Sequence, residues 1–325
     1  YITGFTGSSG FVIVSKKKAY LITDFRYIEQ ATSQACAFQV IEHEYNVADT
    51  LRTAAEKAGI KKLGFEKDFV TYKQYKTLVS AFSGIQLVPV EGVIESLRVI
   101  KDRKEIEMIQ KAESIGDAAF SYILGIIKPG MTEIDVALEI EWFMRENGAE
   151  GVGFEIIVAS GKRGAMPHGI ASSKKLAEGE LIVMDFGAVY QGYKGDMTRT
   201  VSLGKASPRQ REVYDIVLHA QETALKGIVP GKTGQEIDDL AREIIKMAGY
   251  GDNFGHGLGH GVGLAVHEEP RLSTNSTCEL LSQMVVTVEP GIYIAVDNLD
   301  VPEQWRGIGV RIEDDILITA TGNEK

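Results

Sequence analysis

Residues 181–200 read LIVMDFGAVYQGYKGDMTRT. The apolar run at the start predicts a core strand, and the following glycine-containing turn predicts a return strand. With the turn centred between Tyr190 and Gln191, Asp185 and Asp196 lie directly opposite each other, with Cβ atoms roughly 4.5–5.5 Å apart. Two carboxylates at that separation can share one cation. The alternative, a pair of hairpin aspartates facing water, is disfavoured by the apolar run before Asp185.

Two glutamates occupy similar positions further along the chain. Glu289 follows the apolar run 285–288, and Glu313 precedes the apolar run 316–318. An ionised carboxylate at the end of a core strand needs hydrogen-bonded partners or a metal ion, because burying it alone is costly or forces protonation. Four such carboxylates converging on one site would repel each other, and multivalent cations are the simplest compensation.

Residues 254–268 read FGHGLGHGVGLAVHE and place His256, His260 and His267 among glycines. Each glycine costs about 1 kcal/mol relative to alanine in a helix, so extended or looped backbone is predicted. A single histidine is more often a core residue than a ligand, but three histidines beside a carboxylate cluster favour a functional site. The candidate metal ligands are Asp185, Asp196, His260, Glu289 and Glu313.

This set is rich in oxygen and contains no thiolate, which favours Mn²⁺, with Co²⁺, Fe²⁺ and Zn²⁺ as alternatives. Bridging carboxylates predict two metal ions roughly 3.5–4 Å apart, which would lower the pKa of a shared water and stabilise a tetrahedral intermediate. Hydrolysis is the reaction class that follows.

Three residues beside Glu313 are interpreted differently. Arg311 is predicted on the same strand face as Glu313, where its guanidinium can pair with a ligating carboxylate. The alternative for Arg311 is a surface salt bridge. Asp314 and Asp315 are predicted to be strand-end or capping residues rather than ligands.

The second part of the chain contains an internal repeat. Residues 127–135, IKPGMTEID, are echoed by residues 229–238, VPGKTGQEID, and the prolines of the two copies, Pro129 and Pro230, are 101 positions apart. In both copies a Pro-Gly turn precedes a threonine that caps a helix, Thr132 or Thr233. Earlier helices also correspond, one beginning near Asp102 and one at Ser207. Two related α+β halves around a shared sheet are predicted, with a cleft between them as the place for a site.

The first part alternates short apolar runs with helical patterns, which predicts a small α/β domain. We place the boundary at about 98–101, giving domains 1–99 and 100–325. The sequence begins with Tyr1 in a predicted strand and turn, so we expect a missing segment before it.

Composition excludes several classes of function. The net charge is −10, and no basic run is longer than Lys16–Lys18, so nucleic acid and anionic membranes are poor partners. No apolar stretch reaches the length of a membrane span. Cys36 and Cys278 form no disulfide framework, which predicts a reducing compartment and a cytoplasmic protein.

The strings MDFG…GDMTRT, HGLGHGVGLAVHE, TVEPGIY and GVRIEDD resemble the five-ligand pattern of the pita-bread metallopeptidases. The resemblance covers residues 98–325 and implies the pita-bread fold, two metals on the five candidate ligands and a proton-shuttle role for Glu289. The segments YITGFTGSSG and TDFRYIEQA resemble the creatinase-type N-terminal domain of Xaa-Pro peptidases, without its opening helix and strand.

The same resemblance implies roles for residues that are not ligands. His168, in the string MPHG, and His267 resemble the two histidines that hold substrate and intermediate. His256 and Arg311 would support the ligands or contact substrate. A homodimer is expected by resemblance alone.

Two specificities fit this resemblance, because all five ligands are present and a creatinase-like domain precedes them. The string VPEQWRGIGVRIEDD resembles aminopeptidase P, whereas HEEPRLS resembles prolidases, in which an arginine at the position of Arg271 would hold a dipeptide carboxylate. We expect cleavage N-terminal to proline, with aminopeptidase P slightly favoured over Xaa-Pro dipeptidase. A metal-free binding module is the alternative from another class, but such a module would be expected to lose ligands.

Overall fold

The first 97 residues form one of two compact units in a computed structural model that describes all 325 residues; the second unit is 98–325. Strands and helices alternate as predicted. The strands are β1 (Phe11–Val14), β2 (Ala19–Thr23), β3 (Gln39–Glu42), β4 (Lys62–Glu66) and β5 (Gln86–Val90). The helices are α1 (Ile28–Gln34), α2 (Val47–Lys57) and α3 (Tyr72–Ala81), and α4 (Val93–Arg98), which was not predicted, leads into the second unit.

Two small sheets organise the first unit. Strand β2 lies between β1, to which it is antiparallel, and β3, to which it is parallel. Strands β4 and β5 form a separate parallel pair. The mixed α/β character expected for a creatinase-type domain is therefore present.

Four helices in the second unit carry the predicted repeat: α5 (Arg103–Ile126), α6 (Glu133–Glu146), α7 (Pro208–Gly227) and α8 (Gly234–Met247). Each begins with a complete capping box, in which the cap side chain and the side chain three residues later accept each other's backbone N–H. The cap residues are Asp102, Thr132, Ser207 and Thr233. Local sequence therefore fixes where each helix starts.

Each helix pair packs on its own sheet. The first pair covers the three-stranded sheet β11-β8-β7, and the second covers the five-stranded sheet β13-β12-β14-β17-β18. Those strands are β7 (Ile157–Ser160), β8 (Leu181–Phe186), β11 (Met197–Ser202), β12 (Gly259–Gly261), β13 (Glu268–Leu272), β14 (Val285–Val288), β17 (Asp314–Ile318) and β18 (Asn323–Glu324). Shorter strands complete the unit: β6 (Gly151–Val152), β9 (Ala188–Tyr190), β10 (Tyr193–Lys194), β15 (Gly291–Ile294) and β16 (Ile308–Arg311).

The hairpin of residues 181–200 has a different register from the predicted one. Tyr190 pairs with Tyr193, and Asp185 pairs with Thr198 rather than with Asp196. The turn is centred one residue later because Gln191 and Gly192 both adopt positive φ, 49° and 80°, as a two-residue type I′ turn requires. The prediction that Asp185 and Asp196 are directly opposed is wrong; Asp196 lies two residues along on the same strand face.

None of the helices combines the length and apolar character that crossing a membrane requires.

Candidate metal centre

The five candidate ligands lie at the ends or edges of core strands. Asp185 is near the end of β8, Asp196 directly precedes β11, His260 is in β12, Glu289 directly follows β14, and Glu313 separates β16 from β17. Four of them are at most 9% exposed, and the Glu289 side chain is 17% exposed. The water-facing alternative for the two aspartates is therefore excluded.

Asp196, His260 and Glu313 form the closest group, with one potential ligand atom from each lying within 4.8 Å of the others. Glu289 joins them through His260, because its Oε1 lies 3.4 Å from His260 Nε2. Asp196 Oδ2 lies 3.8 Å from the same nitrogen. The structure thus brings four of the five candidates together around one imidazole nitrogen.

Asp185 reaches this group from β8 and has an unsatisfied oxygen. Its Oδ2 contacts the Arg311 guanidinium, whereas its Oδ1 is buried without any hydrogen-bond partner. A buried polar atom without a partner is rare in proteins and calls for a missing water or ion. A divalent cation fits this atom and the oxygen-rich set around it.

His260 is oriented for the same purpose. Its Nδ1 lies 3.1 Å from the carbonyl oxygen of Gly261 and donates to it, so Nε2 is the unprotonated nitrogen that faces Asp196 and Glu289. Burial lowers the pKa of His260 to about 4, which keeps the ring neutral. A nitrogen lone pair aimed at two carboxylates is unfavourable unless a cation lies between them or a carboxyl group is protonated.

Burial also dominates the titration of the acids. It raises the pKa of Asp196 and Glu313 well above the ordinary range, and the neighbouring carboxylates raise both further. Burial raises the pKa of Glu289 to about 8. Bound cations would reverse these shifts, because they stabilise the ionised form of every ligand.

Arg311 connects the acids to one another. Its Nε donates to Thr198 Oγ1 at 2.9 Å, and that hydroxyl donates to Glu313 Oε2 at 2.6 Å. Its Nη1 donates to Tyr293 Oη at 2.8 Å, and its Nη2 contacts Asp185. Arg311 is 3% exposed, so the surface salt bridge is excluded and the side chain is a buried support for two candidate ligands.

Asp314 and Asp315 differ from each other. Asp314 begins β17, as predicted for a strand-end residue, and accepts hydrogen bonds from Arg199 and Gln221. Asp315 is the second residue of β17, next to the end of the strand. Both Asp315 carboxylate oxygens are buried without a hydrogen-bond donor.

The other three predicted histidines differ in their exposure: His168 and His267 are exposed, and His256 is partly buried. The His267 ring is perpendicular to the His260 ring, with centroids 4.4 Å apart. His168 is exposed in a loop whose Pro167 carbonyl oxygen accepts a hydrogen bond from Arg311 at 3.1 Å. His256 contacts a support of Arg311: its Nε2 is 3.1 Å from Tyr293 Oη, the hydroxyl that also accepts a hydrogen bond from Arg311.

Arg271 carries a positive charge beside the centre. It pairs directly with His260 in the antiparallel register of β12 and β13, and opposed residues of such a pair project from the same face. Its side chain is 46% exposed, and its Nε lies 3.9 Å from Glu269 Oε1, so this distant ion pair leaves it available to an anionic ligand.

Sequence reasoning missed Thr198, Tyr293 and Glu113. Glu113 Oε1 accepts a hydrogen bond from the backbone N–H of Asp196 at 2.7 Å. Its signal was present, since Glu113 follows Ile109 by four residues on the apolar face of α5. Thr198 and Tyr293 carry no such signal, because their importance comes from contacts with a distant arginine.

Two family models match this sequence. Metallopeptidase family M24 matches residues 107–320, and the creatinase/prolidase N-terminal domain matches residues 1–100. An Xaa-Pro dipeptidase of Pyrococcus horikoshii is 39% identical over 330 residues, covering 100% of this chain and 88% of the relative.

Solved structures give the same picture. An Xaa-Pro dipeptidase from Bacillus anthracis is similar with a TM-score of 0.94 and 47% identity, over 99% of this chain and 88% of that one. An X-Pro aminopeptidase from Thermotoga maritima is similar with a TM-score of 0.91 and 41% identity, over 99% of this chain and 89% of that one.

Proposed function

This chain belongs to metallopeptidase family M24, and on that premise we propose that it is a metal-dependent Xaa-Pro dipeptidase. It is a hydrolase, and its substrates would be dipeptides with proline in the second position, cleaved N-terminal to the proline. Relatives with this activity in their names support the proposal. The expected preference for aminopeptidase P becomes the second candidate.

The observation that carries the choice is the position of Arg271 directly across from His260. In an Xaa-Pro dipeptide the free carboxylate follows the scissile bond by only one residue. A guanidinium on the same sheet face as a ligand histidine can therefore bind this carboxylate while the scissile bond lies at the centre. A charge-assisted hydrogen bond of this kind contributes about 1.5–3 kcal/mol.

The residues present fit two divalent ions, held by Asp185, Asp196, His260, Glu289 and Glu313. When bound, such ions lower the pKa of a water and polarise the scissile carbonyl. Mn²⁺ is the proposed metal, because four carboxylates and one imidazole form a hard donor set.

Protein groups supply the remaining steps. Glu289, a partly exposed carboxyl group beside His260, is the proposed proton shuttle between the attacking water and the leaving prolyl nitrogen. His168 and His267 are proposed to donate hydrogen bonds to the substrate, since both are exposed. His256 holds Tyr293, and Tyr293 and Thr198 fix Arg311.

Aminopeptidase P remains the second candidate because of the T. maritima neighbour and the segment 295–307. That segment joins β15 to β16 and carries the short 3₁₀ helix Glu303–Trp305. Aminopeptidase activity would require longer peptides to extend past Arg271 without losing affinity.

Hydrolysis of an Xaa-Pro dipeptide and of the matching Xaa-Pro-Xaa tripeptide, both with Mn²⁺, tests the choice. We expect the dipeptide to be preferred, and Arg271→Ala to reduce dipeptide kcat/KM about 10–100-fold while Arg271→Lys retains more activity. Tripeptide cleavage serves as the internal control and should change little. Preference for the tripeptide, with no effect of Arg271→Ala on the dipeptide, would favour aminopeptidase P.

The cytoplasmic location and the homodimer also belong to this proposal. The two cysteines, Cys36 and Cys278, are free and exposed, which suits a reducing compartment. Sedimentation velocity of the purified protein tests the dimer.

A further inference from the structure

We propose that Glu113 is a positioning residue for the metal centre, which holds the Asp196 ligand in place from helix α5. The inference rests on the proposed metal-dependent function. Glu113 Oε1 accepts a hydrogen bond from the Asp196 backbone N–H at 2.7 Å, although the two residues are 83 positions apart in sequence.

The chain before Asp196 is shaped around this contact. Gly195 has no side chain, and a Cβ atom there would lie 2.0 Å from Glu113 Oε1 and 3.2 Å from the Glu113 backbone nitrogen. Glycine therefore allows the backbone to pass directly over the Glu113 carboxyl group. Such a close approach at the residue before a ligand makes the orientation of Asp196 depend on Glu113.

The same carboxyl group reaches a second ligand-bearing segment. It lies beside the carboxyl group of Asp315, which also faces the Asp196 backbone N–H. Asp315 is two residues after Glu313 on β17. Glu113 thus contacts the segments that carry Asp196 and Glu313, which are two members of the closest ligand group.

A cavity beside Glu113 leaves space for a replacement side chain. A cavity of about 210 Å³ lies beside it, and its lining includes Asp117, Arg199 and Asp315. Water or a longer side chain can occupy this space, so replacing Glu113 need not disturb the core. Asp117 lies one helical turn further along α5, lines the same cavity and has a 68% exposed side chain. It is the matched control.

The test is Mn²⁺ binding to the metal-free protein by titration calorimetry, with folding checked by circular dichroism and thermal unfolding. Glu113→Met keeps similar volume but accepts no hydrogen bond, and we expect Mn²⁺ affinity to fall about 10–100-fold, as for other groups that orient metal ligands. Glu113→Gln should stay within about threefold of wild type, because its amide oxygen accepts from Asp196 and its NH₂ group donates to Asp315. Asp117→Asn should bind as wild type does.

Gly195→Ala is the second variant, because its Cβ atom displaces the Glu113 carboxyl group without removing it. If Glu113→Met does not fold, Gly195→Ala tests the positioning role of Glu113. Wild-type Mn²⁺ affinity in a folded Glu113→Met or Gly195→Ala protein overturns the positioning role alone. Equal losses in Glu113→Gln and Glu113→Met also overturn it. A wild-type protein that binds no Mn²⁺ contradicts the proposed function together with this inference.

Discussion

The candidate ligands are acids and one neutral imidazole whose positions make sense only with positive charge between them. Burial raises the pKa of Asp196 and Glu313 well above the usual range, so the metal-free protein holds protons where the metal-bound protein would hold cations. Arg311 compensates part of this charge through Asp185 and Thr198. Removing one carboxylate should therefore affect metal binding and metal-free stability in opposite directions.

Asp196→Asn should abolish activity and weaken metal binding, because it replaces a charged ligand by a neutral amide. Without metal, the variant should unfold at the same or a higher temperature than the wild type, since a buried acid has been removed. Steady-state kinetics, metal content and thermal unfolding are the measurements. Glu243→Gln, on the exposed face of α8, is the control. Retention of more than about a tenth of kcat/KM, a loss below about 1.4 kcal/mol, would refute the ligand role.

His168→Ala and His267→Ala should lower kcat by on the order of 10²–10³-fold while both metals stay bound. The prolyl leaving nitrogen has no N–H and sits in a ring, so its departure depends on positioned hydrogen-bond donors. Kinetics paired with metal analysis separates this role from ligation. His219, exposed on α7, is the control position. Lost metal or unchanged turnover in the two variants would contradict a role at the substrate.

At the scale of secondary-structure elements, the starts of helices could be predicted from neighbouring residues, whereas the register between strands could not. The capping boxes at Asp102 and Thr233 could be read from adjacent residues, and both helices start there. The hairpin register could not, because either of two turn centres fits the sequence and only the backbone angles of Gln191 and Gly192 decide.

The candidate ligands were predictable for a related reason: each stands beside an apolar run. The supporting role of Arg311 was also predicted, but its partner was not, because Asp185 lies 126 positions away in the sequence. Helix α4 was missed because none of its six residues is buried, so it has no apolar pattern.

The turn of the 181–200 hairpin gives a test at this scale. Gly192→Ala should lower the free energy of unfolding by about 1–2 kcal/mol, because φ is 80° there and left-handed backbone is unfavourable for residues with a Cβ atom. Space is not the cause, since the nearest atom to that Cβ, Leu264 Cδ2, would be 3.6 Å away. Gln191→Asn, at φ 49°, should change stability by less than about 0.5 kcal/mol because asparagine tolerates this region. Urea unfolding compares the two, and equal stabilities would contradict the turn assignment.

The whole molecule places its centre where the two repeated halves meet. Asp185 and Asp196 come from the sheet of the first half, whereas His260, Glu289 and Glu313 come from the sheet of the second half. The ligands therefore converge only when both halves are folded. Because this arrangement buries several carboxyl groups close together, the stability of the whole protein should depend on pH.

Without metal, stability should fall as pH rises from about 7 to about 8. Burial raises the pKa of Glu289 from 4.5 to about 8, so in this window the folded protein holds a proton that the unfolded chain has lost. The free energy of unfolding then decreases with pH, by about 1 kcal/mol per retained proton for each pH unit. His256 and His260 act oppositely, because their pKa values are lowered to about 4, but their effect ends near pH 6.5.

Urea unfolding in the presence of a chelator measures this dependence, and the same series with Mn²⁺ is the control. Bound metal keeps the ligands ionised, so the decrease should disappear or reverse with Mn²⁺. Metal-free stability that rises from pH 7 to 8 would contradict the assignment of protonated, buried carboxyl groups.

The proposed Xaa-Pro peptidase activity depends on metal ions held by these five residues. It can be tested by titrating metal-free protein with Mn²⁺ while following the hydrolysis of an Xaa-Pro dipeptide. We expect no hydrolysis before metal is added and a plateau at about two Mn²⁺ per chain. Full dipeptide hydrolysis by protein that contains no metal would contradict it.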